Sequence, residues 1–228
     1  MKCLVCVFLF SLCSLFAEPP RPQDQILVVK QFLSEEEAQS LIAFYRAEKT
    51  GVTMHSDNEL SIARIRNGSI RDLVSAISQR VLALLQSTGK PYYLDHAGLY
   101  SRIKGNFCPY HADNIAFSCP IHGSCQQELR EHCPGTCLGA KFAPNHTAWR
   151  EYTALLYLND NFEGGEISFE DGPQNKLYKK TIPIEARQLV LAPNGNNFYH
   201  EVFPLRSGVR YSLHLWYTSD PRHALNLH

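Results

Sequence analysis

Neither sign of charge is in surplus in this chain of 228 residues: Lys and Arg number 22, Asp and Glu number 22, and the formal net charge is zero. No long basic run is present either. A protein that grips phosphate backbones needs a basic face, so nucleic acid is not an expected partner. Nowhere do apolar residues run on for the 18 or so that a membrane-spanning helix requires. Internal repeats and low-complexity tracts are missing too, which excludes a solenoid or a largely disordered chain. What is present is material for a core: 44% hydrophobic residues, with 12 Phe and 11 Tyr and only 19% charged. At this length one good-sized domain is expected.

The N-terminus reads differently from the rest. Met1 and Lys2 precede an apolar stretch from Leu4 to Phe16, then Ala17, Glu18, Pro19 and Pro20. A short positive start, an apolar run and a small residue at its end make residues 1–17 an expected secretory signal peptide. Residues 18–228 are then the mature single domain. This places the protein in the secretory pathway, either the endoplasmic-reticulum lumen or outside the cell, or in a periplasm if bacterial. Removing the signal takes Cys3, Cys6 and Cys13 with it and leaves Cys108, Cys119, Cys125, Cys133 and Cys137. Four of those five fall in residues 118–147, which lack periodicity and read as a Cys-rich loop insert tied by disulfides. The pairing is open, and Cys119, His122, Cys125, His132, Cys133 and Cys137 could instead hold zinc. Asn67-Gly68-Ser69 and Asn145-His146-Thr147 are glycosylation acceptors in a host that glycosylates.

Two helices come first. Ser34-Glu35-Glu36-Glu37 is a capping box, and Ala38, Leu41, Ile42 and Tyr45 follow at helical spacing. A second helix is predicted from about Ile70 to Leu85, with Leu73, Val74, Ile77, Val81, Leu84 and Leu85 on one face. Ile26 to Val29 reads as a short strand. After Pro91 short β-rich pieces take over, at 97–103, 152–158, 165–169, 187–192 and 209–217, separated by Gly, Pro and Asn turns. The fold class is therefore α+β and mainly β: a jelly-roll or double-stranded β-helix core, buttressed by N-terminal helices.

The chemistry gathers inside that β-rich block. In an extended segment His111 and Asp113 project to the same side. His200 lies beyond a Gly/Asn turn, and the three together would form a facial triad of two imidazoles and one carboxylate, leaving positions open on iron. Arg210 follows ten residues after His200, past Arg206-Ser207-Gly208, which reads as a turn. A fixed guanidinium there can clamp the distal carboxylate of 2-oxoglutarate.

These residues also carry a resemblance. His111-Ala112-Asp113-Asn114, Trp149 through Asp160, Phe162-Glu163-Gly164-Gly165-Glu166, Arg206 through Arg210 and Leu215-Trp216-Tyr217-Thr218 resemble, in order and spacing, the 2-oxoglutarate and Fe(II)-dependent dioxygenases. The likeness is to the prolyl 3-hydroxylase (leprecan) catalytic domain, covers roughly residues 97–221 and leaves the helical third unmatched. It implies that His111, Asp113 and His200 bind Fe(II) and that Arg210 binds 2-oxoglutarate, with Thr153 and Tyr157 helping to hold the co-substrate. It implies Arg150 and Trp216 as substrate-facing walls of the site, and no catalytic side chain beyond the metal and co-substrate ligands. The implied reaction consumes O2 and 2-oxoglutarate, with ascorbate as reductant, and hydroxylates a peptidyl residue with release of succinate and CO2. The implied substrate is a proline-containing, collagen-like peptide. A lysyl or small-molecule hydroxylase of the same superfamily, or a non-catalytic β-roll binding module, remains the alternative.

Overall fold

Ser34 starts the first helix in the way its sequence requires. Its hydroxyl accepts from the Glu37 amide at 3.1 Å, and the Glu37 carboxylate accepts from the Ser34 amide at 2.8 Å. The helix, α1, runs Glu35–Glu48 and buries Ala38, Leu41, Ile42 and Tyr45. The second, α2, runs Gly68–Leu85, two residues earlier than its apolar face alone indicates. Asn67 is the reason: its side chain accepts from the Ile70 amide at 3.1 Å and caps the new terminus. The computed structural model describes residues 21–49, 58–118, 141–171 and 178–227. The expected signal peptide, and Cys119, Cys125, Cys133 and Cys137 with their disulfide or zinc alternatives, lie outside the described residues.

Thirteen strands follow one another in the described residues: β1 Leu27–Val29, β2 Asn58–Ser61, β3 Tyr93–Ile103, β4 Cys108–His111, β5 Ile115–Ser118, β6 Lys141–Pro144 and β7 Tyr152–Tyr157, then β8 Phe162–Gly164, β9 Ile167–Glu170, β10 Lys179–Ile182, β11 Leu189–Pro193, β12 Tyr199–Val202 and β13 Leu205–Thr218. The larger sheet has the order β1-β11-β7-β13-β3-β2, with β8 joined to the start of β13. The smaller has the order β10-β9-β12-β4, and β5 pairs with β6. Every pairing is antiparallel. The β5–β6 pair holds Ser118 opposite Lys141, so the chain enters and leaves residues 119–140 side by side.

The alternation of side chains sorts the larger sheet into two buried faces. Ala154 and Leu156 of β7, Leu189 and Leu191 of β11, and Leu213, Leu215 and Tyr217 of β13 face α1 and α2 and form one core with them. The opposite parity, Leu155 and Tyr157 with Val190 and Ala192, meets Ile167, Phe169, Ile182 and Val202 of the smaller sheet in a second core. Two sheets thus close face to face as a double-stranded β-helix, with helices backing only one of them. β7 and β11, inside the larger sheet, are buried on both sides, so their sequences read as near-continuous apolar runs.

Arg206-Ser207-Gly208, which reads as a turn, lies inside β13. The strand continues through it because Leu205, Ser207 and Gly208 pair with β8, with an irregularity between Leu205 and Ser207. Gly208 takes φ +77° against the backbone of Asn161 and Phe162, which leaves no room for a Cβ. The irregular glycine that suggests a turn is a bend in a strand.

Candidate metal centre and co-substrate pocket

His111 ends β4 and His200 sits on β12, and the two are direct partners in the ladder of the smaller sheet. Their ring centroids are 4.3 Å apart. Asp113 follows a single bridge between Ala112 and Ile115. Its carbonyl oxygen accepts from Asn145 Nδ2 at 3.1 Å and Thr147 Oγ1 at 2.7 Å, so residues after β6 fix the backbone that carries it. The potential glycosylation site at Asn145 is thereby committed to an internal contact. One ligand atom each from His111, Asp113 and His200 lies within 4.8 Å of the others. Asp113 Oδ1 stands 3.4 Å from His111 Nε2 and 3.9 Å from His200 Nε2. His200 Nδ1 faces the Phe198 carbonyl at 3.2 Å, which leaves Nε2 as the outward donor atom.

The cluster sets an ionised carboxylate between two imidazoles whose affinities for a proton move in opposite directions. Burial works to raise the Asp113 carboxyl, but hydrogen bonding to His111 and the charge of His200 hold it well below the usual carboxylate range. Burial, joined by the neighbouring charge of His111, pushes His200 down to about 4. His111 goes the other way: against its burial, hydrogen bonds with Asp113 and Cys108 raise it well above an ordinary imidazole. The donor set of two imidazole nitrogens and one carboxylate suits a non-haem Fe(II) with open positions.

A cavity of about 140 Å³ opens from this cluster. Arg210 lies in its wall, 1% exposed, on the inward parity of β13. Its Nη1 donates to the Gly165 carbonyl at 2.8 Å, and its guanidinium stands 5.6 Å from the centre of the Tyr157 ring. Arg210 Nε is buried and finds no hydrogen-bond partner among the described residues. Burial depresses Arg210 although Tyr157 opposes the shift, and the same burial raises the Tyr157 hydroxyl. A buried guanidinium with an orphaned N–H calls for an anion. A carboxylate fits that cradle.

The remaining expected site residues lie beside the centre. Thr153 Oγ1 is 2.5 Å from Asp113 Oδ2 and 2.9 Å from Asn194 Oδ1. The hydroxyl has one proton, and the charged carboxylate is the stronger acceptor. Trp216 Nε1 donates to the same Asp113 oxygen at 2.9 Å. Arg150 lies with its guanidinium 4.8 Å from the Trp216 ring centre and its Nε 2.6 Å from Asp95 Oδ2. Cys108 has no disulfide partner among the described residues, and its Sγ lies 3.7 Å from His111 Nδ1.

Sequence reasoning passed over three polar residues of this cavity, Tyr100, Arg102 and His214. Arg102 is the ladder partner of Arg210, and His214 shares the parity of Arg210 and Trp216 along β13. His214 stacks on Tyr100 at 4.3 Å between centroids, and burial drives its pKa well down. Counting by twos from Arg210 finds His214; finding Arg102 needs the register.

Comparison with known proteins decides the family. The profile of the 2OG-Fe(II) oxygenase superfamily matches residues 99–218. The chain belongs to that superfamily. Human prolyl 3-hydroxylase 3 is 29% identical over 185 residues, which is 76% of this chain but 23% of the relative. Human prolyl 3-hydroxylase 2 is 32% identical over 113 residues, 50% of this chain and 14% of the relative. The chain therefore spans about a quarter or less of the length of these relatives. A Pseudomonas putida prolyl-4-hydroxylase superposes with a TM-score of 0.58 at 18% identity, covering 85% of this chain and 92% of that one. A viral collagen prolyl hydroxylase from Paramecium bursaria Chlorella virus 1, solved with 2-oxoglutarate, gives 0.56 at 17% identity, covering 89% and 97%. At such identities the structural likeness is one of fold, that of the oxygenase double-stranded β-helix. Fe(II), 2-oxoglutarate and O2 are the cofactors of the superfamily, which is one of dioxygenases.

Proposed function

We propose that this oxygenase hydroxylates a prolyl residue within a peptide, in the manner of a prolyl 3-hydroxylase. His111, Asp113 and His200 would hold Fe(II), and Arg210 would take the far carboxylate of 2-oxoglutarate. Bound together, iron and the keto acid supply an oxidant able to hydroxylate an unactivated C–H bond, with succinate and CO2 released. The chain's own residues bind and orient. Arg210, fixed by Gly165 and flanked by Tyr157, sets the depth to which a dicarboxylate enters the cavity. The two cores on either side of the larger sheet keep that geometry rigid. No side chain needs to act as acid or base in hydrogen abstraction.

The observation that carries this reading is Arg210, a buried cation with an orphaned N–H in one cavity with two imidazoles and a carboxylate. The choice of proline rests on the prolyl 3-hydroxylase relatives. An extended proline-rich chain, a collagen-like peptide above all, suits an open groove edged by aromatic side chains. Ascorbate as reductant and passage through the secretory pathway belong to the same reading; no helix among the described residues is long and apolar enough to cross a membrane. The test incubates the protein with Fe(II), 2-oxoglutarate, ascorbate and air, together with proline-rich and lysine-containing peptides. Succinate formed in step with one oxygen atom gained on proline is expected. Oxygen gained on lysine alone would reassign the substrate, and a metal-loaded protein that forms no succinate with any substrate would overturn the reading.

A further inference from the structure

We infer that Thr153, Trp216 and Arg150 act together as positioning residues that keep Asp113 a one-oxygen metal ligand, which preserves the open position the co-substrate needs. The inference rests on the proposed function, because it concerns how the same three ligands would hold their metal.

The two oxygens of Asp113 live in different surroundings. Oδ1 faces the ring nitrogens of His111 and His200. Oδ2 is turned the other way and is approached by two donors, Thr153 Oγ1 at 2.5 Å and Trp216 Nε1 at 2.9 Å. A carboxylate oxygen has two lone-pair sites, and here both have a donor. Those donors are themselves a ladder pair: Thr153 of β7 lies directly opposite Trp216 of β13. Two neighbouring strands at the centre of the larger sheet therefore clamp one atom. A metal could claim Oδ2 as a second ligand only by breaking two charge-assisted hydrogen bonds to a carboxylate whose side chain is 11% exposed. If it did, Asp113 would close one of the positions that a chelating keto acid and oxygen must share.

Arg150 completes the device from outside. Its guanidinium lies against the Trp216 ring, and its Nε is bound to Asp95 Oδ2. Asp95 in turn accepts from Trp149 Nε1 at 2.8 Å through its other oxygen. The backbone of Arg150 is held as well, since its carbonyl accepts from Asn114 Nδ2 at 3.1 Å. The side chains of Arg150 and Asp95 are only 17% and 9% exposed, so the pair screens the indole from solvent. Its place over the indole makes Arg150 the roof that fixes the plane in which Trp216 offers its N–H, rather than a cation extended toward substrate.

The test uses Co(II), which binds the same donors and reports its coordination in the visible spectrum. Co(II) affinity and the 2-oxoglutarate affinity of the Co(II)-loaded protein are measured for wild type, Thr153→Val, Thr153→Ser, Trp216→Phe and Arg150→Met. In Thr153→Val and Trp216→Phe we expect 2-oxoglutarate to bind about tenfold more weakly, Co(II) affinity to stay within about threefold, and the Co(II) spectrum to change before any 2-oxoglutarate is added. Thr153→Ser restores the hydroxyl and returns all three readings toward wild type, while Arg150→Met shifts them in the same direction as Trp216→Phe and by less. Unchanged spectra and 2-oxoglutarate affinity in Thr153→Val and Trp216→Phe would overturn the assignment. So would an equal loss of Co(II) and 2-oxoglutarate binding in every variant, Thr153→Ser included, since that marks a general loss of packing. A wild-type protein that binds Co(II) but never responds to 2-oxoglutarate would bring down the proposed function and this inference with it.

Discussion

Arg210 and His111 are the two side chains whose chemistry is most out of the ordinary, and each makes a prediction at the scale of one residue. Arg210 is buried beside Tyr157, and its Nε has no hydrogen-bond partner among the described residues. Arg210→Ala should weaken 2-oxoglutarate binding by roughly 30-fold, about 2 kcal/mol for a lost charge-assisted contact, as read by titration of the metal-loaded protein. An unchanged affinity would place the co-substrate elsewhere. His111 and Asp113 make the metal-free protein respond to pH in a defined sense. The raised His111 contributes stability that is complete below an ordinary imidazole value of about 6.5 and is lost as pH rises through its own higher value. The depressed Asp113 contributes stability that is complete above an ordinary carboxyl value of about 3.9 and is lost as pH falls toward its own lower value. Burial holds His200 and His214 below an ordinary imidazole, so both subtract stability as pH falls below about 6.5. Melting curves of the metal-free protein should therefore show the highest midpoint near neutrality, with a decline toward acid and, above neutrality, a fall that belongs to His111. His111→Gln should flatten that fall. Metal uptake should run the other way and tighten with rising pH, because a ligating histidine must shed its proton.

At the scale of the element, the parts that could be read from sequence are those whose pattern is local. The capping box at Ser34 and the spacing of Ala38, Leu41, Ile42 and Tyr45 define α1 without reference to anything distant. The strands missed, β2, β4, β5, β6, β8, β10 and β12, are each only three or four residues long, and β4 and β12, which carry His111 and His200, pair across a long stretch of chain. His200 was legible as a candidate ligand; that it sits opposite His111 in a ladder was not, because register is a property of two strands. The glycines around β8 show the same limit. Gly164 takes φ +80°, and a Cβ there would run into the Pro204 carbonyl, whereas Gly105 takes φ +85° with open space around it. Both substitutions by alanine carry a backbone cost of about 1–2 kcal/mol. Chemical denaturation should show Gly164→Ala to be clearly the more damaging of the two, since only there must backbone move. Equal losses would mean that the β8–β13 junction yields easily and does not hold Arg210 in place through Gly165.

For the whole molecule, the larger sheet is the organising feature. One face packs on α1 and α2 and the other, with the smaller sheet, encloses a cavity whose polar lining comes from β3, β4, β7, β12 and β13. The apolar runs at 152–158 and 209–217 signalled strands, and their parity separates Leu213, Leu215 and Tyr217 under the helices from Arg210, His214 and Trp216 in the cavity. The order of motifs gave the family. What the order could not give was the division of labour around Asp113, because Thr153, Trp216 and Arg150 meet it only after β7 and β13 are laid side by side.

The central claim is that His111, Asp113, His200 and Arg210 form one site for Fe(II) and 2-oxoglutarate. The most direct measurement is the visible spectrum of the protein with both, taken without oxygen, beside His200→Ala and Arg210→Ala. A charge-transfer band should appear in the wild type, vanish in His200→Ala, and demand more 2-oxoglutarate in Arg210→Ala. A folded, metal-loaded wild type that shows no band would contradict the account.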